Sequence, residues 1–123
     1  MNDRPPLSPS EAAATLWQIE QDIDTETQEL VRLRGQYAGL LRAHRLDFAQ
    51  AFLNTSGSMD FRRRRAEELT IDSWHAVQVH EQLVEASKDK LKALRDRSEI
   101  GRAINSNLKE ELRFTASNPG WTA

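Results

Sequence analysis

Three histidines, two glutamate doublets, one Ser-Gly-Ser turn and one run of four arginines are the residues of this 123-residue chain whose types and spacing could do chemistry. His75 and His80 stand five residues apart, which turns them away from each other on a helix, whereas a helical zinc site pairs histidines four apart on one face. His44 is remote from both, so all three read as polar positions on or beside a helix seam. The chain has no cysteine, which removes disulfides, thiolate metal sites and cysteine nucleophiles together. Glu67-Glu68 and Glu110-Glu111 are helix-surface doublets without a pocket to raise a carboxyl pKa for acid–base work. Ser56-Gly57-Ser58 lacks the lysine of a phosphate-binding loop and reads as a turn. The expectation is a non-enzymatic protein with no metal, no cofactor and no small-molecule substrate.

The remaining feature is Phe61-Arg62-Arg63-Arg64-Arg65. Cations in the first turn of a helix oppose its dipole at a cost of roughly a few tenths of a kcal/mol each, so folding of that helix does not ask for them. Arg42 and Arg45, toward the end of the preceding helix, are expected beside them, making one arginine cluster with His44, Phe61 and either Phe48 or Phe52 nearby. Guanidinium forks bind phosphate in a bidentate way, and exposed rings stack on unpaired bases. Arg42, Arg45, Arg62, Arg63, Arg64 and Arg65 are therefore a candidate site for single-stranded nucleic acid. A solvated charge run partly neutralised by Asp60, Glu67 and Glu68 is the structural alternative, and an acidic protein or anionic lipid surface would also suit the patch.

These residues are positioned by two long amphipathic stretches joined by one breaker, Asn54-Thr55-Ser56-Gly57-Ser58. The spacing predicts an extended tail over 1–9, a helix over 10–53 capped by Ser10, a turn over 54–58, a helix over 59–114 capped by Ser58 or Asp60, and a tail over 115–123 that holds Trp121 after the turn-forming Ser117-Asn118-Pro119-Gly120. The fold class is all-α, a long antiparallel two-helix hairpin resembling a coiled coil. Leu16, Ile19, Ile23, Leu30, Leu33, Tyr37, Leu40, Leu41, Phe48 and Phe52 recur at steps of three and four, the mark of one buried stripe. Gly35 and Gly39 interrupt it, through close approach of another helix or through a bend.

On the second helix Leu69, Trp74, Val77, Val84, Leu91, Leu94, Ile104, Leu108 and Leu112 read as the main seam. Folding back at Gly57 sets Leu40 near Trp74, Tyr37 near Val77, Leu30 near Val84, Ile23 near Leu91 and Ala13 near Gly101. Ile71, Val79, Ala86, Ala93 and Ile100 form a further stripe, rotated away, that one hairpin cannot cover. Helices with two apolar faces touch more than one neighbour, so the expectation is a homo-oligomer, a bundle or a ring, with this stripe as its interface.

The net charge of −2 is unevenly spread. Residues 1–31 carry seven acidic side chains against Arg4 alone, and the hairpin sets them opposite Lys88, Lys90, Lys92, Arg95, Arg97 and Arg102. Exposed pairs contribute about 0–1 kcal/mol each, enough together to favour the antiparallel register. No run of about 18 apolar residues is present, and Met1-Asn2-Asp3-Arg4-Pro5-Pro6 lacks the apolar core of a signal peptide. The reading is cytoplasmic, with no membrane partner.

The stretch Leu91-Lys92-Ala93-Leu94-Arg95-Asp96-Arg97-Ser98-Glu99-Ile100-Gly101-Arg102-Ala103-Ile104, with Asn105 to Phe114 after it, resembles the second helix of small helical-hairpin proteins of tailed bacteriophages. The plan is also similar to that of phage recombination mediators. This resemblance implies ring assembly, single-stranded DNA binding through basic residues and a place in the host cytoplasm. Two functions follow as expectations: a nucleic-acid-binding accessory protein working through the arginine tip, or a structural or adaptor coiled coil that binds a protein partner through its helix faces.

Overall fold

The computed structural model describes residues 8–117, and among them the chain forms three helices and no strand: α1 (Pro9–Leu53), α2 (Met59–Leu69) and α3 (Ile71–Ser117). Trp121 and the turn residues after Ser117 lie outside the described residues, as do residues 1–7 of the N-terminal tail. The all-α expectation holds. The return arm, however, is two helices and not one, and α1 starts earlier than Ser10. Ser8 is the cap: its hydroxyl accepts from the Glu11 amide at 3.2 Å while the Glu11 carboxylate accepts from the Ser8 amide at 3.2 Å. That reciprocal pair satisfies two free amides at once, and Pro9 sits at the first helical position, where its missing N–H costs nothing.

The chain divides into two compact units. The distal unit, 27–89, holds the turn, α2 and the adjoining parts of α1 and α3. Gly57 has φ +124°, a conformation that favours glycine, and Ser58 caps α2 by accepting from the Phe61 amide. The break between α2 and α3 falls on Thr70, whose φ of −113° and ψ of 16° leave the helical region. Its hydroxyl donates to the Ala66 carbonyl at 2.7 Å, and the Ser73 hydroxyl lies within hydrogen-bond distance of the Thr70 carbonyl at 3.0 Å. Side-chain hydroxyls that serve the backbone in this way bend helices. The core here is Ala66 and Val77, 0% and 1% exposed, with Leu30, Leu33 and Thr70.

In the terminal unit, 1–26 with 90–123, Ala12, Leu91 and Leu94 are the buried apolar side chains. Glu26 and Ser98 are buried with them. Lys90 reaches Glu26 at 3.0 Å, and Glu20 accepts from Ser98 and from Arg102, each at 2.7 Å. Of the six cations expected opposite the acidic start, Lys90 and Arg102 make such cross-helix ion pairs among the described residues; Lys88 pairs with Glu85 on its own helix.

The inner faces of both long helices follow steps of three and four. On α1 the buried and half-buried side chains run Ala12, Leu16, Ile19, Ile23, Glu26, Leu30, Leu33, Tyr37, Leu40 and His44. On α3 they run Val77, His80, Val84, Ser87, Leu91, Leu94, Ser98, Gly101, Asn105 and Leu108. A sustained repeat of this kind is the pattern of coiled-coil packing. It differs from the expected second seam, because Leu69, Ile104 and Leu112 are exposed, while Trp74, also partly exposed, packs on His44 of α1. The register differs too. Gly101 meets Leu16 and not Ala13, and Trp74 packs on His44 and not beside Leu40, an offset of about one turn. A register counted straight from Gly57 does not carry past the break at Thr70, where α2 ends before α3 begins. A side chain at Gly35 or Gly39 would meet nothing within 4 Å, so close helix approach does not explain these glycines.

Hydrogen bonds from Ser98 and Arg102, more than the charge of Arg102, hold the Glu20 carboxyl below its ordinary value of 4.5. A carboxyl depressed in the folded state adds stability that is present above its unfolded pKa and is lost as pH falls through the folded one. Thermal stability should therefore drop on acidification below about pH 4.5 more steeply in the native chain than in Glu20→Gln. Melting curves across that window in both proteins test this, and parallel curves would contradict it.

Candidate interaction surfaces

Arg62 is the member of the arginine run that folding does require. Its guanidinium lies 4.4 Å from the centre of the Phe52 ring, and its Nε donates to the Phe52 carbonyl at 3.2 Å. Helix α1 has no basic residue in its last turn, so Arg62 supplies from α2 the cation that the carbonyl end of α1 favours. This answers why a cation stands against the dipole of its own helix. Arg63 pairs with Asp60 at 3.0 Å and Arg65 with Glu68 at 3.1 Å.

Consecutive residues turn by about 100° on a helix, so Arg62 to Arg65 spread around α2 instead of facing one ligand. Arg42, Arg45 and Arg64 make no ion pair among the described residues. Arg45 lines a groove with Tyr37, Leu41 and Trp74 on α1 and α3, while Arg62 sits against Phe52 at the end of α1. Arg45 and Arg62 thus have different surroundings. Arg62→Gln should cost roughly 1–2 kcal/mol, from a lost cation–π contact and a charged hydrogen bond, whereas Arg63→Gln, Arg64→Gln and Arg65→Gln should each stay within about 0.5 kcal/mol. Urea melts of the four single variants separate these; equal effects at all four would refute the capping role.

The aromatic groove was not foreseen as a unit. His44 packs at a tilt against Trp74, 5.1 Å between ring centres, and against Phe48, 6.3 Å. Its Nδ1 lies 2.8 Å from the Ser73 hydroxyl, which itself lies 3.0 Å from the Thr70 carbonyl. A hydroxyl has one proton to give, so Ser73 donates either to the Thr70 carbonyl or to His44 Nδ1, and the three groups form one hydrogen-bonded set. Glu67 at the end of α2 and Ile71 at the start of α3 close one side of a cavity of about 400 Å³. The offset register hid this group, because it moved His44, not Leu40, opposite Trp74. His80 donates from Nδ1 to the Ala76 carbonyl at 3.2 Å, and among the described residues no set of three or more metal-ligating side chains gathers.

All five members of the second apolar stripe are exposed: Ile71, Val79 and Ala86 in the distal unit, Ala93 and Ile100 in the terminal one. Leu83 and Ile104 lie exposed beside them. In the terminal unit the stripe borders a groove of about 220 Å³ lined by Leu16, Ile19, Ile100, Gly101 and Ile104 among others, and a Cβ at Gly101 would come within 3.3 Å of Leu16. Among the described residues no helix is long and apolar enough to cross a membrane.

Fold and surface together define an all-α protein of paired helices with a heptad-spaced inner seam and an uncovered apolar outer face. Comparison with known protein families, with characterised proteins and with solved structures gives no match to this chain.

Proposed function

We propose that this chain is a non-enzymatic, self-associating helical protein that acts by presenting unpaired helix faces to other helices, first of all to further copies of itself. The observation that carries this reading is the exposure of Val79 and Ile100 on α3, beside an inner face that α1 already covers. Leaving such side chains in water forgoes about 1.5–3 kcal/mol for each large one that a partner would bury. Assembly of helical hairpins is also what phage recombination mediators do, proteins whose hairpin plan is similar to the one expected from this sequence.

Val79→Glu should weaken assembly while leaving helix content unchanged, because Val79 is on the outer face. Sedimentation together with far-ultraviolet circular dichroism checks both halves. Undiminished assembly would remove the distal part of the stripe from the interface, and lost helicity would mean that Val79 belongs to the core.

Nucleic-acid binding is the second reading, favoured by the unpaired Arg42, Arg45 and Arg64. With Arg62, Arg63 and Arg65 held by Phe52, Asp60 and Glu68, it has three of the six candidate arginines unpaired. Affinity for single-stranded DNA that falls steeply with salt would favour it.

A further inference from the structure

We propose that the outer face of α3 in the terminal unit forms a two-fold contact with a second copy of this chain, the two α3 helices antiparallel and Ile100 of each copy packed against Ile104 of the other. The proposal rests on the self-association reading above and gives it an orientation. Arg97, Ile104 and Glu111 recur every seven residues on α3, with Ala93 and Ile100 interleaved at steps of three and four, so one helix face carries a cation, an apolar centre and an anion in order. Ile100 is 61% and Ile104 42% exposed. Beside them runs the apolar groove lined by Leu16, Ile19 and Gly101, a recess able to receive a branched side chain from outside.

Charge chooses the direction. Arg97 and Glu111 make no ion pair among the described residues. Parallel helices would set Arg97 against Arg97 and Glu111 against Glu111. Antiparallel helices with Ile100 level with Ile104 set Glu111 of each copy level with Ala93 of the other, one turn from its Arg97. The two-fold axis repeats this, so the apolar layer is flanked on both sides by opposite charges. The face is self-complementary, and a second copy is the occupant it fits.

The chain has no cysteine, so Arg113→Cys can carry a single spin label on the unmodified fold. In the antiparallel pair the two labelled backbones stand about 33 Å apart along the helices at 1.5 Å per residue, and in a parallel pair about 10 Å apart. Pulsed dipolar spectroscopy on the assembled chain reads this separation. Arg97→Glu should weaken assembly about three- to thirty-fold, and adding Glu111→Arg should restore it. A separation near 10 Å, or assembly indifferent to both charge variants, overturns this geometry and leaves self-association standing. A chain that stays monomeric at every concentration overturns both.

Discussion

Leu91→Ala should lower stability by about 2–5 kcal/mol, the cost of an unfilled cavity in a packed seam. Leu91 is 3% exposed, next in the heptad series to Leu94 and close to the buried Glu26 that Lys90 holds. The seam around it is thin, because Ser87 and Ser98 occupy neighbouring inner positions. Few apolar neighbours are therefore available to collapse into the gap, which puts the effect toward the upper end. Leu112→Ala, by contrast, removes an outward side chain and should change stability by less than about 0.5 kcal/mol. Denaturant melts of the two variants measure the contrast; equal losses would mean that the seam is wrongly placed.

Ile100→Glu should do the opposite, sparing the fold and disrupting assembly. The side chain is exposed in the single chain, so a charge there meets water. In a two-fold contact it counts twice, and forfeiting two buried isoleucines costs roughly 3–6 kcal/mol, or about two to four decades in the dissociation constant. Sedimentation equilibrium on native chain and variant gives that ratio, with the melting temperature as the control. A variant that assembles as tightly as the native chain would exclude Ile100 from the interface.

How much of this was readable from the residues differs between the two long helices. On α1 the inner positions from Leu16 to Leu40 are mostly large and apolar, so spacing alone finds them. On α3 the inner series includes Ser87, Ser98, Gly101 and Asn105, and attention to hydrophobicity draws the seam instead to Leu69, Ile104 and Leu112. Following the step of three and four through the small polar residues would have recovered it. The cap was legible in Ser8-Pro9-Ser10-Glu11, since serine followed three residues later by glutamate is the capping-box pattern.

The break at Thr70 carries no glycine or proline, and the hydroxyl bonds of Thr70 and Ser73 that accompany it leave no pattern in the sequence. Arg62 was misread for a related reason: its partners, the Phe52 ring and carbonyl, lie on another helix, and no pattern within α2 announces them. The exposed stripe through Val79 and Ile100, in contrast, was visible as a second periodicity and is uncovered in the fold.

Sedimentation velocity of the unmodified chain over a range of micromolar concentrations, at low and at high salt and without nucleic acid, tests the central claim most directly. An apolar interface predicts concentration-dependent assembly that survives high salt, because screening weakens charge contacts and leaves apolar burial in place. A chain that remains a monomer throughout, or that assembles only when single-stranded nucleic acid is added at low salt, would contradict it.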